Sequence, residues 1–379
     1  MKHLWLAVFF SIFFVGLTFG QDKADSTAKA SPIEKLFDLG DKVIDLISGE
    51  KWTVIPALVY APETSLGIGA RAIRVFRHQN AENSVLRPSS IPITLLHTLN
   101  NQTIFTSELD LWANENKTYF NARIELSNFP FRFFCIGNNS PELLSENYTT
   151  RYAYFHLNYE KQVAKGLYLG PRYEFRIDDI YRKEPNGILA SGTVPGSDGQ
   201  RISGLGWVVN YDTRDNIFQP HHGWFSRVGW MTYKPWLGSN FNFEQFTIDV
   251  RKYFKATEKG VLALQSWWTF TSGVAPFQHL ALIGGSDQMR GYFEGRYRDN
   301  LAMVQQAEYR FPVYRNLGMV VFAHGGQVAQ QFSEYKIKNL RYGGGIGFRY
   351  KISNDGLNIR LDFAFGDQKA IYFGLNEVI

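Results

Sequence analysis

Histidine, serine, cysteine and clustered carboxylates are the side chains from which a hydrolytic or metal centre is built, and their placement in these 379 residues argues against one. A nucleophile needs a base within reach. His221 and His222 stand just before Gly223, with Ser226 close by, but Ser226 shares its alternation rank with Val228 and Trp230 and so points to the apolar side of its segment. His156 shares a rank with Asn158 and Glu160 and has no identifiable nucleophile beside it. Eight histidines and the single Cys135 show no metal-ligand spacing, and a lone cysteine excludes an internal disulfide. Gly343-Gly344-Gly345-Ile346-Gly347 and Leu66-Gly67-Ile68-Gly69 would cradle a phosphate only ahead of a helix; neither opens a helical pattern, so both read as strand glycines. The expectation is a non-enzyme without metal or cofactor.

The elements that carry these residues are strands. From Trp52 onward apolar and polar residues alternate with period two, in segments parted by Gly, Asn and Asp turns. Phe120, Ala122, Ile124 and Leu126 alternate with Asn121, Arg123, Glu125 and Ser127; Leu357, Ile359, Leu361, Phe363 and Phe365 alternate with Asn358, Arg360 and Asp362. A soluble sandwich alternates too. Three features favour a barrel in lipid: segments of about ten residues or more suit a tilted crossing of the hydrocarbon layer, Trp224, Trp230, Tyr233 and Trp236 crowd segment ends as an interfacial girdle would, and the polar rank mixes both charge signs. Sixteen segments are counted, the first starting near Thr53, the sixth near Tyr152 and the last near Ala370. With the amino end in the periplasm, the long connections Phe131 to Thr149, Asp179 to Arg201, Val274 to Asn300 and Gln331 to Leu340 all fall on the outer side. The link from His78 to Ser90 is the exception, long on the short side. The fold expected is all-β, a 16-stranded antiparallel transmembrane β-barrel over residues 51–379.

Ahead of it, Leu4 to Phe19 is an apolar run after Lys2 and His3, closed by Gly20, and reads as a signal peptide over 1–20 cut near Gly20. Residues 21–50 read as a periplasmic linker. Ser31-Pro32-Ile33-Glu34 has capping-box spacing, and Leu36, Phe37, Val43, Ile44 and Ile47 continue one face of an amphipathic helix at about 32–48, either a plug of the barrel or a surface helix. A net charge of +5 without blocks of like charge gives no support for nucleic acid as a partner.

Gly284-Gly285-Ser286-Asp287-Gln288-Met289-Arg290-Gly291-Tyr292, Gln306-Ala307-Glu308-Tyr309-Arg310-Phe311-Pro312 and Val321-Phe322-Ala323-His324-Gly325-Gly326 resemble the last third of the BamA/TamA superfamily of outer-membrane assembly and translocation barrels. Tyr211-Asp212-Thr213-Arg214-Asp215 resembles an earlier strand-end motif, with Asp212 and Arg214 at its centre. The resemblance implies that the loop carrying Met289, Arg290, Gly291 and Tyr292 folds back into the lumen, where the arginine meets acidic groups of the next two strands. By position those partners are Glu308 and residue 324, where His324 stands in place of the aspartate of the family pattern. It further implies a barrel in the outer membrane of a Gram-negative bacterium, surrounded by outer-membrane lipid and working with separate periplasmic or outer-membrane protein partners. With some thirty residues between the signal peptide and Thr53, the chain resembles a short branch of that superfamily without the periplasmic repeat domains. The function so implied is insertion, assembly or translocation of proteins or lipids at the outer membrane; the alternative is a partly plugged pore or structural barrel without assembly activity.

Overall fold

An extended chain offers successive side chains to opposite faces, and here the two ranks are inverted relative to a sheet in water. Glu160, Glu308 and Asp362 have no solvent exposure, whereas Ile68, Leu95 and Leu126 are at least half exposed. The computed structural model describes residues 52–76, 86–141, 144–352 and 356–379. The segments read as signal peptide, linker and amphipathic helix lie outside the described residues.

The strands are β1 (Thr53–Ala61), β2 (Ser65–Phe76), β3 (Ser89–Thr98), β4 (Thr103–Ala113), β5 (Thr118–Phe133), β6 (Glu146–Ala164), β7 (Leu167–Lys183), β8 (Gln200–Asp212), β9 (Gly223–Tyr233), β10 (Asn242–Lys255), β11 (Val261–Val274), β12 (Ala281–Ile283), β13 (Tyr297–Asp299), β14 (Leu301–Tyr314), β15 (Leu317–Ala329), β16 (Arg341–Lys351), β17 (Asn358–Phe365) and β18 (Lys369–Leu375). All but β12 and β13 close into one antiparallel barrel of sixteen strands, each neighbouring the next in sequence, with β14 following β11. The short β12 and β13 pair with each other inside the connection 275–300. Closure leaves no open sheet edge, the condition for a sheet to stand in hydrocarbon.

The sixth strand departs from expectation. It begins at Glu146 rather than near Tyr152, and β5, β6 and β7 run 16, 19 and 17 residues. The loops expected over Phe131 to Thr149 and Asp179 to Arg201 shrink to 134–145 and 184–199. The cause is packing beyond the barrel wall: Phe133, Tyr148 and Ile180, on the extended ends, form an apolar cluster with Leu189 and Phe277. Backbone pairing continues for as long as that cluster rewards it.

The seam differs from every other junction. β1 pairs with β2 over nine residues and β17 with β18 over seven, but β1 meets β18 at one register pair, Tyr60 with Phe373. Inside the seam Ala61 packs in an apolar cluster with Phe322, Ala370 and Tyr372.

Candidate functional site in the barrel lumen

The connection 275–300 turns inward and carries Arg290 into the lumen. Met289 is fully buried among Ile283, Tyr292, Tyr297, Val304 and Val328, giving the loop an apolar core of its own. Gly291 has φ +95°, a left-handed conformation, and a Cβ there would come within 2.8 Å of the Phe365 carbonyl carbon and the Gly366 nitrogen. Only glycine allows this approach to the end of β17. The Gly291 N–H donates to the Tyr372 hydroxyl at 3.0 Å, and the Tyr292 hydroxyl donates to the Tyr342 carbonyl at 2.7 Å. The tetrapeptide Met289–Tyr292 is thereby tied to β16, β17 and β18.

Arg290 itself is wholly buried. Its Nη1 donates to Asp362 Oδ2 at 2.6 Å, its Nη2 donates to Glu308 Oε1, and its guanidinium carbon lies 3.5 Å from the centre of the Phe322 ring. Two carboxylates and a π face around one cation are the charge-assisted and cation–π contacts that offset the desolvation of a buried guanidinium. The ion pairs continue: Arg349 bonds Asp362 at 2.6 Å and Glu377 at 2.7 Å, and Arg310 bonds Glu308 at 3.0 Å and lies 3.7 Å from Glu377. The result is a closed ring of alternating charge: Arg290, Asp362, Arg349, Glu377, Arg310, Glu308. Phe322 has room to underlie Arg290 because β16 is glycine-rich; a Cβ on Gly345 would come within 2.6 Å of the Phe322 ring.

The structure corrects the second expected partner. No hydrogen bond from the Arg290 guanidinium goes to His324; that position on β15 turns its ring onto Phe322, with centroids 6.1 Å apart, and the second carboxylate comes from Asp362 on β17. A strand-neighbour argument reaches only β14 and β15, whereas the loop tip sits far enough into the lumen to touch β17. Alternation had placed Asp362 in the inward rank, but nothing in one-dimensional spacing singled it out.

Asp212 and Arg214 meet at the end of the barrel where β1 starts. Arg214 Nε and Nη2 hold the two Asp212 oxygens at 3.0 and 2.9 Å, and Arg87 Nη1 adds a third bond at 2.8 Å. Arg87 also lies 4.6 Å from the centre of the Trp112 ring and donates its main-chain N–H to Asn116. Arg87, two residues before β3, thus reaches past the turn between β4 and β5 to the end of β8.

The remaining candidates are structural in their contacts. His156 bonds Asn121 at 2.6 Å and Tyr154 at 3.0 Å inside a polar lumen network. His221 bonds Asp215 at 3.0 Å, and Asp215 also accepts the His221 and His222 amides, locking the turn. Burial pushes the Asp215 carboxyl up, but these donors outweigh it and hold the group well below the ordinary carboxylate range. Among the described residues no group of histidine, cysteine and carboxylate side chains is placed to hold a metal ion.

Residues 97–377 match the Omp85 superfamily domain. No curated protein sequence matches the chain. Among solved structures the chain is similar to BamA from Haemophilus ducreyi lacking POTRA domains 1–3, at 13% identity and a TM-score of 0.57 over 87% of this chain and 70% of that one. It is similar to CdiB from Acinetobacter baumannii, at 11% identity and a TM-score of 0.55 over 94% and 72%, and to CdiB from Escherichia coli, at 9% identity and a TM-score of 0.58 over 90% and 70%. At such identities these structures share the fold. With the domain match spanning most of the barrel, and an inverted polarity that only lipid satisfies, the chain belongs to the Omp85 superfamily of outer-membrane β-barrels.

Proposed function

We propose that this protein takes part in insertion, assembly or translocation of proteins or lipids at the outer membrane, with separate protein partners, by parting the seam between β1 and β18. The observation that carries the reading is the single register pair Tyr60 with Phe373, against seven to sixteen pairs at the junctions β17–β18 and β5–β6. Parting this junction sacrifices few ladder hydrogen bonds and exposes two strand edges, which can template an incoming strand. The Arg290 ring supports the same reading, because it braces β14, β16 and β17 as a rigid body against which β1 can move. Non-enzymatic action and delivery by a signal peptide cut near Gly20 belong to this proposal.

The test is a covalent lock. Cysteines at 60 and 373, on a Cys135→Ser background, are expected to cross-link and to reproduce the phenotype of a deletion strain, with reduction restoring function. A deletion strain with unchanged outer-membrane protein and lipid composition overturns the reading. A second reading, a plugged or structural barrel, is favoured by the contents of the lumen: the Arg290 loop packs inside it, and Arg87 pairs with Asp212 at the end where β1 starts.

A further inference from the structure

At the Thr53 end of the barrel a cavity of about 240 Å³ opens beside the turn 315–316 and the end of β16. Its cationic lining is Lys259, Arg310, Arg315, Arg349 and Lys351, and among the described lining residues Glu377 is the only carboxylate. That carboxylate is already engaged by Arg349 and Arg310. The ring of three arginines and three carboxylates balances its own charge, with Arg310 Nη2 donating also to the Ile379 main-chain oxygen, so Lys259 and Lys351 add positive charge that no group among the described lining residues neutralises. Two buried side chains also keep a donor in reserve. Arg310 and Arg349 are 7% and 4% exposed, and Arg310 Nη1 and Arg349 Nη2 have no hydrogen-bond partner among the described residues. A buried guanidinium nitrogen without an acceptor is costly, and an anion relieves that cost.

The lining also comes from both ranks of the wall. Arg310, Val320 and Arg349 belong to the inward rank, whereas Phe311 and its cross-strand partner Met319 belong to the outward one. The register of β14 on β15 shifts between Pro312 and Tyr314, and Gly318, opposite Arg349, has no side chain to fill the gap. On the outer face at this level Tyr309 stacks on Phe311 at 5.6 Å, and Val313 and Tyr314 are exposed, the arrangement of an interfacial girdle.

We propose that this cavity binds a phosphate group, presented from the adjoining leaflet by an anionic phospholipid. Arginine forks and lysine point charges are the two side-chain types that recognise phosphate, and Phe311 and Met319 carry the cavity's lining to the lipid-facing rank, while Gln219, Pro220 and His221 of the turn between β8 and β9 line it as well. A phosphate on Arg310 and Arg349 competes with Glu377, so occupancy reaches the ring that holds Arg290 and, through it, the lumen loop.

The test uses the full chain in nanodiscs of phosphatidylcholine with a minor share of phosphatidylglycerol, with co-purifying lipid counted by mass spectrometry. A parallel arm follows inorganic phosphate by phosphorus NMR. Retention of phosphatidylglycerol over phosphatidylcholine, falling about tenfold in Lys259→Gln/Lys351→Gln, supports the proposal. Both lysines lie outside the ion-pair ring, and unheated gel migration confirms that the variant barrel is closed. Binding of inorganic phosphate that depends on the two lysines, without a lipid preference, supports the phosphate site with a solute as its source. Equal retention of both lipids together with no phosphate binding, or binding unchanged in the double variant, overturns it.

Discussion

Arg290 shows how a single cation can tie four strands together. Glu308 on β14, Phe322 on β15 and Asp362 on β17 each contact it, and Arg349 on β16 shares Asp362. Removing one member of a fully buried ion pair leaves the other uncompensated, at a cost of about 3–5 kcal/mol. Asp362→Asn is therefore expected to destabilise the barrel by about 3 kcal/mol, seen as a lower temperature for loss of heat-modifiable gel migration. His324→Asn removes no charge pair with Arg290 and is expected to cost about 1 kcal/mol. A large loss for His324→Asn with little for Asp362→Asn would mean that His324, and not Asp362, carries the second contact. The arginine, the glycine and Glu308 were all legible from the tetrapeptide and from the inward parity of Glu308. The choice of Asp362 over His324 was not, because it depends on how deep the loop tip reaches.

At the scale of elements, the lumen loop is latched to the first hairpin as well. The Glu294 N–H donates to Glu63 Oε1 at 2.6 Å, while the Glu63 carbonyl accepts from Asn100 and Gln102 at 3.0 and 2.9 Å. Burial, and then the nearby Glu294 carboxylate, push the Glu63 carboxyl up to about 7. A carboxyl whose pKa is raised on folding binds its proton more tightly in the folded state. Its neutral form thus favours the fold below the unfolded value, and that advantage fades as pH climbs from about 4.5 through about 7. Thermal unfolding is expected to show higher stability at pH 5.5 than at pH 8, by on the order of 2–3 kcal/mol. Glu63→Gln, neutral at both, is expected to flatten the difference; a profile unchanged by that substitution would remove Glu63 as its origin. The extended β5–β7 ribbon belongs to this scale too. Its strands were legible, but their extra length was not, because Phe277, from another loop, supplies the apolar surface on which Phe133 and Tyr148 pack.

At the scale of the molecule, two sets of contacts bear on passage through the barrel: the Arg290 loop packed inside it, and the Arg87, Asp212 and Arg214 contacts at the end where β1 starts. Planar-bilayer recordings of the purified chain are expected to show low, intermittent conductance, because ions must pass both. Arg87→Ala frees one and is expected to raise the open probability, while Arg290→Ala is expected to raise it further. A large steady conductance in the unmodified chain would show that neither obstruction holds.

The amino-acid order alone was enough for the architecture: period-two alternation, segment length and mixed charge on one rank are local properties, and lipid outside with water inside is the arrangement that satisfies both ranks at once. Strand number and direction followed, and the first and last strands start at Thr53 and Lys369 against the expected Thr53 and Ala370. Three-dimensional packing alone decided the identity of the groups around Arg290, the length of the β5–β7 ribbon, the crossing of Arg87 to Asp212 and the single-pair seam. Each of these depends on which side chains from distant segments arrive at one place, and a closed barrel brings residues together around its circumference and across its lumen at separations that no local periodicity encodes.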